Sequence, residues 1–216
     1  MRLRLRPLGE PWRSLLTTIV AGGCYGFAIG ASKNLTYALR STVKLPLLLL
    51  GTVALCVSLQ FVLARFLGVP LRLHAVLGSA GTLTRTFAVL LASLAPVSLF
   101  LAHTMVPPRG DDLGGYPGFV LTNMLFIALA GSVAVARQAR ALLREHAIPT
   151  HRSLLLVGSW LSVSLLVGGQ LAFWLRPFFG IASLPSGGPF VLGDEPTSTG
   201  ARNFYEAVWQ FVAGAY

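Results

Sequence analysis

The sequence predicts an all-α integral membrane protein: a helical bundle of about five transmembrane helices plus a short C-terminal amphipathic helix. Three observations predict it. Only 11% of the 216 residues are charged and 54% are apolar, whereas a soluble domain carries about 25% charged residues, so much of the surface must face lipid. The apolar residues gather into runs of roughly 17–25, the length a helix needs to cross a bilayer. None of those runs contains Asp, Glu, Lys or Arg.

The first run is Ser14 to Ala31. The second, Leu45 to Ala64, is bracketed by Lys44 and Arg65, with Pro46 placed where a missing N–H costs little. The third, Thr86 to Val106, is entered at Arg85 and left at "PPRGDD"; Pro96 inside it is expected to kink the helix. The fourth runs from about Phe119 to Ala136, and the fifth from Ser153 to Leu175 between Arg152 and Arg176. Residues 1–176 thus form the transmembrane domain, and 177–216 an extramembrane loop with a short interfacial helix. The segment Leu71 to Thr84 is too short to cross and reads as an interfacial helix or a re-entrant turn. After the fourth run, "RQARALLREH" continues the helix, with Arg137, Arg140 and Arg144 on one face. That face is either a solvated helix end or a contact for anionic lipid headgroups.

The net charge of +10 is distributed between apolar runs. That pattern marks topology and meets membrane lipids; it does not describe a nucleic-acid surface. With five spans, alternate loops share a side. Eleven basic residues then fall on one side and six on the other, and five of the seven acidic residues join the poorer side. The positive-inside rule places the N-terminus in the cytoplasm and the C-terminus outside; a missed or re-entrant segment in 32–44 or 66–85 would invert this. The opening "MRLRLRPLGEPWR" and the later "VAGGC" imitate an export signal. Ala21 stands where a lipoprotein signal favours leucine, however, and the apolar run continues through "YGFAIGA". An uncleaved first span is the reading.

Within the spans the clearest spacing is Gly22, Gly26 and Gly30. Three glycines four apart form one ridge on which another helix backbone can close, from within the chain or from a second copy. Polar residues in the spans are few: Gln60, His103, Asn123 and Gln170. They serve either as interhelical hydrogen bonds or as the lining of a polar pathway. Cys24 and Cys56 sit singly inside apolar runs and read as packing residues.

Catalytic patterns are absent: no H-E-x-x-H, no G-x-S-x-G, no intramembrane aspartate pair. No metal site and no cofactor are expected. Asp111 and Asp112 lie in a turn composition. Asn34-Leu35-Thr36 fits a glycosylation sequon.

The tail holds a Gly-, Pro- and Ser-rich loop and then "ARNFYEAVWQFVAGAY". Asn203 with Glu206 resembles a capping box, and Phe204, Val208, Phe211 and Val212 share a face. This helix is expected on the outer surface or docked on the bundle. Arg176, on the positive-poor side, is expected to pair with Asp194, Glu195 or Glu206.

Through "YGFAIG", "VKLPLLLLGTVALCVSLQFVLARFLG" and "LLASLAPVSLFLA", with the Lys44-Leu45-Pro46 entry and the Ala95-Pro96 step, residues 25–140 resemble bacterial Yip1-like multi-span membrane proteins. The resemblance implies a five-span helical domain of the bacterial inner membrane without catalysis, and it transfers no functional residue. The expected function is a non-enzymatic scaffold or subunit that packs against other membrane proteins or a second copy. The competing expectation is a small transporter or channel subunit with an anion-attracting outer mouth.

Overall fold

Helix boundaries follow caps and turn residues more closely than they follow charge. In the computed structural model, which describes residues 10–32, 34–69, 72–105, 116–146, 150–175, 203–206 and 209, there are five long helices. They are α1 (Glu10–Gly30), α2 (Leu35–Phe66), α3 (Leu73–Thr104), α4 (Tyr116–His146) and α5 (Thr150–Leu175). The protein is an all-α bundle. Among the described residues, four helical segments are long and apolar enough to cross a membrane: Leu35–Phe66, Leu73–Thr104, Gly118–Gln138 and Leu154–Leu175. The expected fifth, at 14–31, is the helix α1, but it falls outside that set. Its glycines and threonines and the nearby Arg13 dilute its hydropathy.

Two expected breaks in the helices are absent. Asn34 starts α2 by accepting the Tyr37 N–H on its side-chain oxygen at 2.9 Å, a side-chain N-cap. The stretch 35–44, read as loop, is therefore the first part of α2, and Lys44, read as a span boundary, is only 5% exposed. Of the segment Leu71 to Thr84, residues 73–84 are likewise no separate element, because α3 is continuous from Leu73 through Arg85 and Pro96; Leu71 lies outside the described residues. A charge interrupts a hydropathy run without interrupting backbone hydrogen bonding. At 32 residues each, α2 and α3 are about 48 Å long, well beyond the roughly 30 Å hydrocarbon layer.

The turn between α2 and α3 is specified locally. Gly68 adopts φ 69°, its N–H meets the Arg65 carbonyl at 3.0 Å, and the Val69 N–H meets that of Ala64 at 2.9 Å. This is a Schellman ending, which needs a residue tolerant of the left-handed region. Ala64 and Val69 then pack together in one core with Val76, Leu156 and Trp160.

Successive helices run antiparallel. Helices α2, α3, α4 and α5 each contact the next, and α5 returns to α2. Helix α1 lies against α2 and α3. The main core joins Tyr25, Ala28 and Ile29 of α1 to Leu45, Leu91, Ala95 and Ala130, so four helices meet at one level.

Candidate functional site: a glycine seam and two polar nodes

The glycine ridge of α1 faces α2. A methyl group at Gly26 would stand 2.3 Å from the Ser41 carbonyl oxygen, and one at Gly30 would stand 2.7 Å from that of Tyr37 and 2.8 Å from the Ala38 Cα. At Gly22 the nearest atoms, on Leu49 and Pro46, would be 3.4–3.6 Å away, ordinary contact. The seam is therefore tightest toward the C-terminal end of α1, where only glycine fits. Its occupant is the same chain, and a second copy would have to use another surface.

Beside the seam lies a first polar node. The Tyr25 hydroxyl of α1 donates to Asn123 Oδ1 of α4 at 2.8 Å, and the Ser98 hydroxyl of α3 donates to the same oxygen. Asn123 Nδ2 donates to its own helix at the Phe119 carbonyl, 2.9 Å away. Tyr25, Ser98 and Asn123 all have zero exposure. An amide oxygen has two lone pairs, so both are occupied. This node is closed, and it clamps three helices through one side chain.

A second node joins α2 to α5. Gln60 Nε2 donates to the Ser164 hydroxyl oxygen at 3.1 Å, and Trp160 Nε1 donates to the Gln60 backbone carbonyl at 3.0 Å. The Cys56 thiol reaches the Val163 carbonyl at 3.9 Å. Gln60 is 4% exposed, yet its Oε1 is buried without a hydrogen-bond partner. Trp160 and Ser164 also border an apolar, partly open cavity of about 40 Å³, whose other walls are Leu83 of α3, Val135 and Gln138 of α4, and Val157 and Leu161 of α5; Gln60 is not among its walls. Gln138 is itself hydrogen-bonded to Ser79 of α3.

The four polar residues singled out in the spans are not gathered. Asn123 and Gln60 belong to different nodes. His103 is exposed, with its Nδ1 2.9 Å from the Leu99 carbonyl one turn back, and Gln170 is half-buried late in α5. Cys24 is exposed and Cys56 buried. Arg176, Asp194 and Glu195 lie outside the described residues. Glu206 lies within them; its backbone N–H donates to Asn203 Oδ1 at 2.9 Å, one half of a capping box. The segment sits on α5: the Tyr205 hydroxyl donates to the Leu165 carbonyl at 3.1 Å. A methyl at Gly169 would meet the Phe204 ring at 2.8 Å.

Tyr25, Ser98, Trp160 and Ser164 were not legible as site residues. Serine and the aromatic tips are too common in membrane helices to stand out singly, and their signal is pairwise. Among the described residues, no group of three or more His, Cys, Asp or Glu could hold a metal ion. No protein-family model, characterised protein or solved structure matches this chain.

Proposed function

We propose that the chain is a non-enzymatic multi-pass membrane protein, a scaffold or subunit that packs against other components of a bacterial inner membrane. The observation that carries this reading is the closed node at Asn123. A transport path needs polar groups that can exchange partners with a passing solute. Here three fully buried polar side chains, Tyr25, Ser98 and Asn123, are committed to one another, and they join α1, α3 and α4. The glycine seam supports the same reading, because it spends close backbone approach on rigidity. The outward faces carry the interaction surface: Leu35, Leu39, Val43 and Leu47 make an exposed i, i+4 stripe on α2.

Chemical cross-linking in native membranes followed by affinity purification tests the proposal. A discrete, reproducible membrane-protein partner, lost when Leu39 and Val43 are changed to Ser, supports it. Partner-free recovery together with solute flux in reconstituted liposomes would replace it with the transporter reading.

A further inference from the structure

We propose that α1, α3 and α4 together bind the headgroup of an anionic phospholipid, in a shallow trough rimmed by Arg13, Arg85 and Arg137. Hydrogen bonds between the helices fix the level of each arginine. The Ser14 hydroxyl of α1 donates to the Gly81 carbonyl of α3 at 3.3 Å, so its neighbour Arg13 stands level with Ala80. Gln138 of α4 donates to Ser79 of α3, so its neighbour Arg137 stands at the same level on the other side of α3. Arg85 follows one turn after Gly81 on α3 itself. All three arginines are exposed, and among the described side chains none of them is ion-paired.

The floor between them is open. Gly78, Thr82 and Arg85 recur at i, i+4 and i+7 and are all exposed, so they make one outward stripe of α3. A methyl at Gly78 or Gly81 would meet nothing within 4 Å. The level also suits a phosphate. The apolar runs of α1, α3 and α4 begin or end beside these arginines, at Ser14, Thr86 and Ala136, so the three helices reach the hydrocarbon boundary at one depth. On α2 and α5 the corresponding residues are Arg65 and Arg152, which stand by the Gly68 turn, before α3 begins. Arg85 is twelve residues beyond Leu73, the start of α3, which is about 18 Å along the axis at 1.5 Å per residue. The apolar belt of the bundle is therefore stepped, and the trough lies at the step. Basic clusters between membrane helices hold anionic headgroups, and the arginine fork matches phosphate oxygens two at a time. A zwitterionic headgroup carries its own ammonium into the same cluster and loses part of that attraction.

Native mass spectrometry of the full chain in detergent, with phosphatidylglycerol or phosphatidylcholine of the same acyl chains, tests this. Phosphatidylglycerol should be retained as a single tight equivalent and phosphatidylcholine should not. Arg85→Gln and Arg137→Gln should each weaken retention roughly five-fold, and the double variant about 30-fold, the size expected of arginines near an anionic headgroup. The paired control, Arg65→Gln with Arg152→Gln, removes the same charge more than a Debye length of about 8 Å away and should change retention less than about two-fold. Gly78→Leu fills the floor without touching a charge and should weaken retention as much as either single arginine variant. The single variants keep the test decisive if the double variant does not fold. Inorganic phosphate in the buffer should not displace the lipid. Equal retention of the two lipids, equal loss from the two arginine pairs, unchanged retention in Gly78→Leu, or displacement by inorganic phosphate each overturns the proposal.

Discussion

The Tyr25 hydroxyl and the Asn123 side-chain oxygen meet at 2.8 Å across 98 residues of sequence, with neither residue exposed. Since the same oxygen also takes the Ser98 hydroxyl, the three positions should not respond equally to mutation. Tyr25→Phe deletes one donor and leaves Asn123 with another; interhelical hydrogen bonds of this kind average about 0.6 kcal/mol in membranes. Asn123→Leu instead removes the acceptor that both hydroxyls share, and a buried hydroxyl left unsatisfied costs about 1–3 kcal/mol. Thermal unfolding in detergent should therefore rank Asn123→Leu well below Tyr25→Phe, with the double variant close to Asn123→Leu alone. Equal effects would mean that Asn123 is not the shared acceptor.

The glycine seam makes a graded prediction. Gly26→Ala and Gly30→Ala each drive a methyl into backbone atoms of α2, at 2.3 Å and 2.7 Å, and backbone cannot rotate away as a side chain does. Each should cost about 1–3 kcal/mol, the usual price of overpacking. Gly22→Ala adds a methyl at ordinary contact distance and should be nearly neutral. Gly78 of α3, with nothing within 4 Å of its added methyl, is the control: Gly78→Ala should be neutral or slightly stabilising through helix propensity. The same melting series reads all four.

The ridge was visible in the sequence because its spacing is regular, but the identity of its partner was not. Glycine spacing shows that a backbone can approach and carries nothing about which one does. The apolar runs located the helices, whereas Arg40, Lys44 and Arg85 misplaced their ends. A hydropathy pattern treats each of those charges as an exit from the membrane, while α2 and α3 pass through them and extend beyond the bilayer. Gln60 and Asn123 were found as isolated polar residues. Their opposite states, one closed and one open by an oxygen, depend on Ser98, Ser164 and Trp160, which come from helices distant in sequence.

Charge placement predicts orientation. Antiparallel packing brings the exposed Arg65, Arg72, Arg137, Arg140 and Arg152 toward one end of the bundle, and Arg152 Nη1 lies 3.7 Å from the position a methyl at Gly68 would take. By the positive-inside rule that end is expected to be the cytoplasmic one. A cysteine introduced at Arg140 in a Cys24→Ser, Cys56→Ser background should react with a membrane-impermeant maleimide in inverted vesicles and not in intact cells. The opposite pattern would invert the topology.

The tail contact sets a depth. Leu165, which accepts the Tyr205 hydroxyl, stands ten residues before the end of α5 at Leu175, about 15 Å down the helix at 1.5 Å per residue. The segment around Phe204 thus lies alongside α5 and does not rest flat on a surface at its end. Gly169 admits it, since a side chain there would collide with the Phe204 ring at 2.8 Å; its neighbour Gly168 instead faces Thr52 of α2 at 3.4 Å. Gly169→Val should therefore eject the segment, while Gly168→Ala should disturb only the α2 side. In limited proteolysis of the protein in liposomes, Gly169→Val should expose the peptide bonds around residues 203–209 at least ten-fold faster than wild type. Tyr205→Phe, which keeps the ring and loses one hydrogen bond, should have a smaller effect. If Arg176→Gln exposed the tail as strongly as Gly169→Val does, charge pairing would be what holds it; no change with Arg176→Gln leaves the ring packing on Gly169 as the anchor.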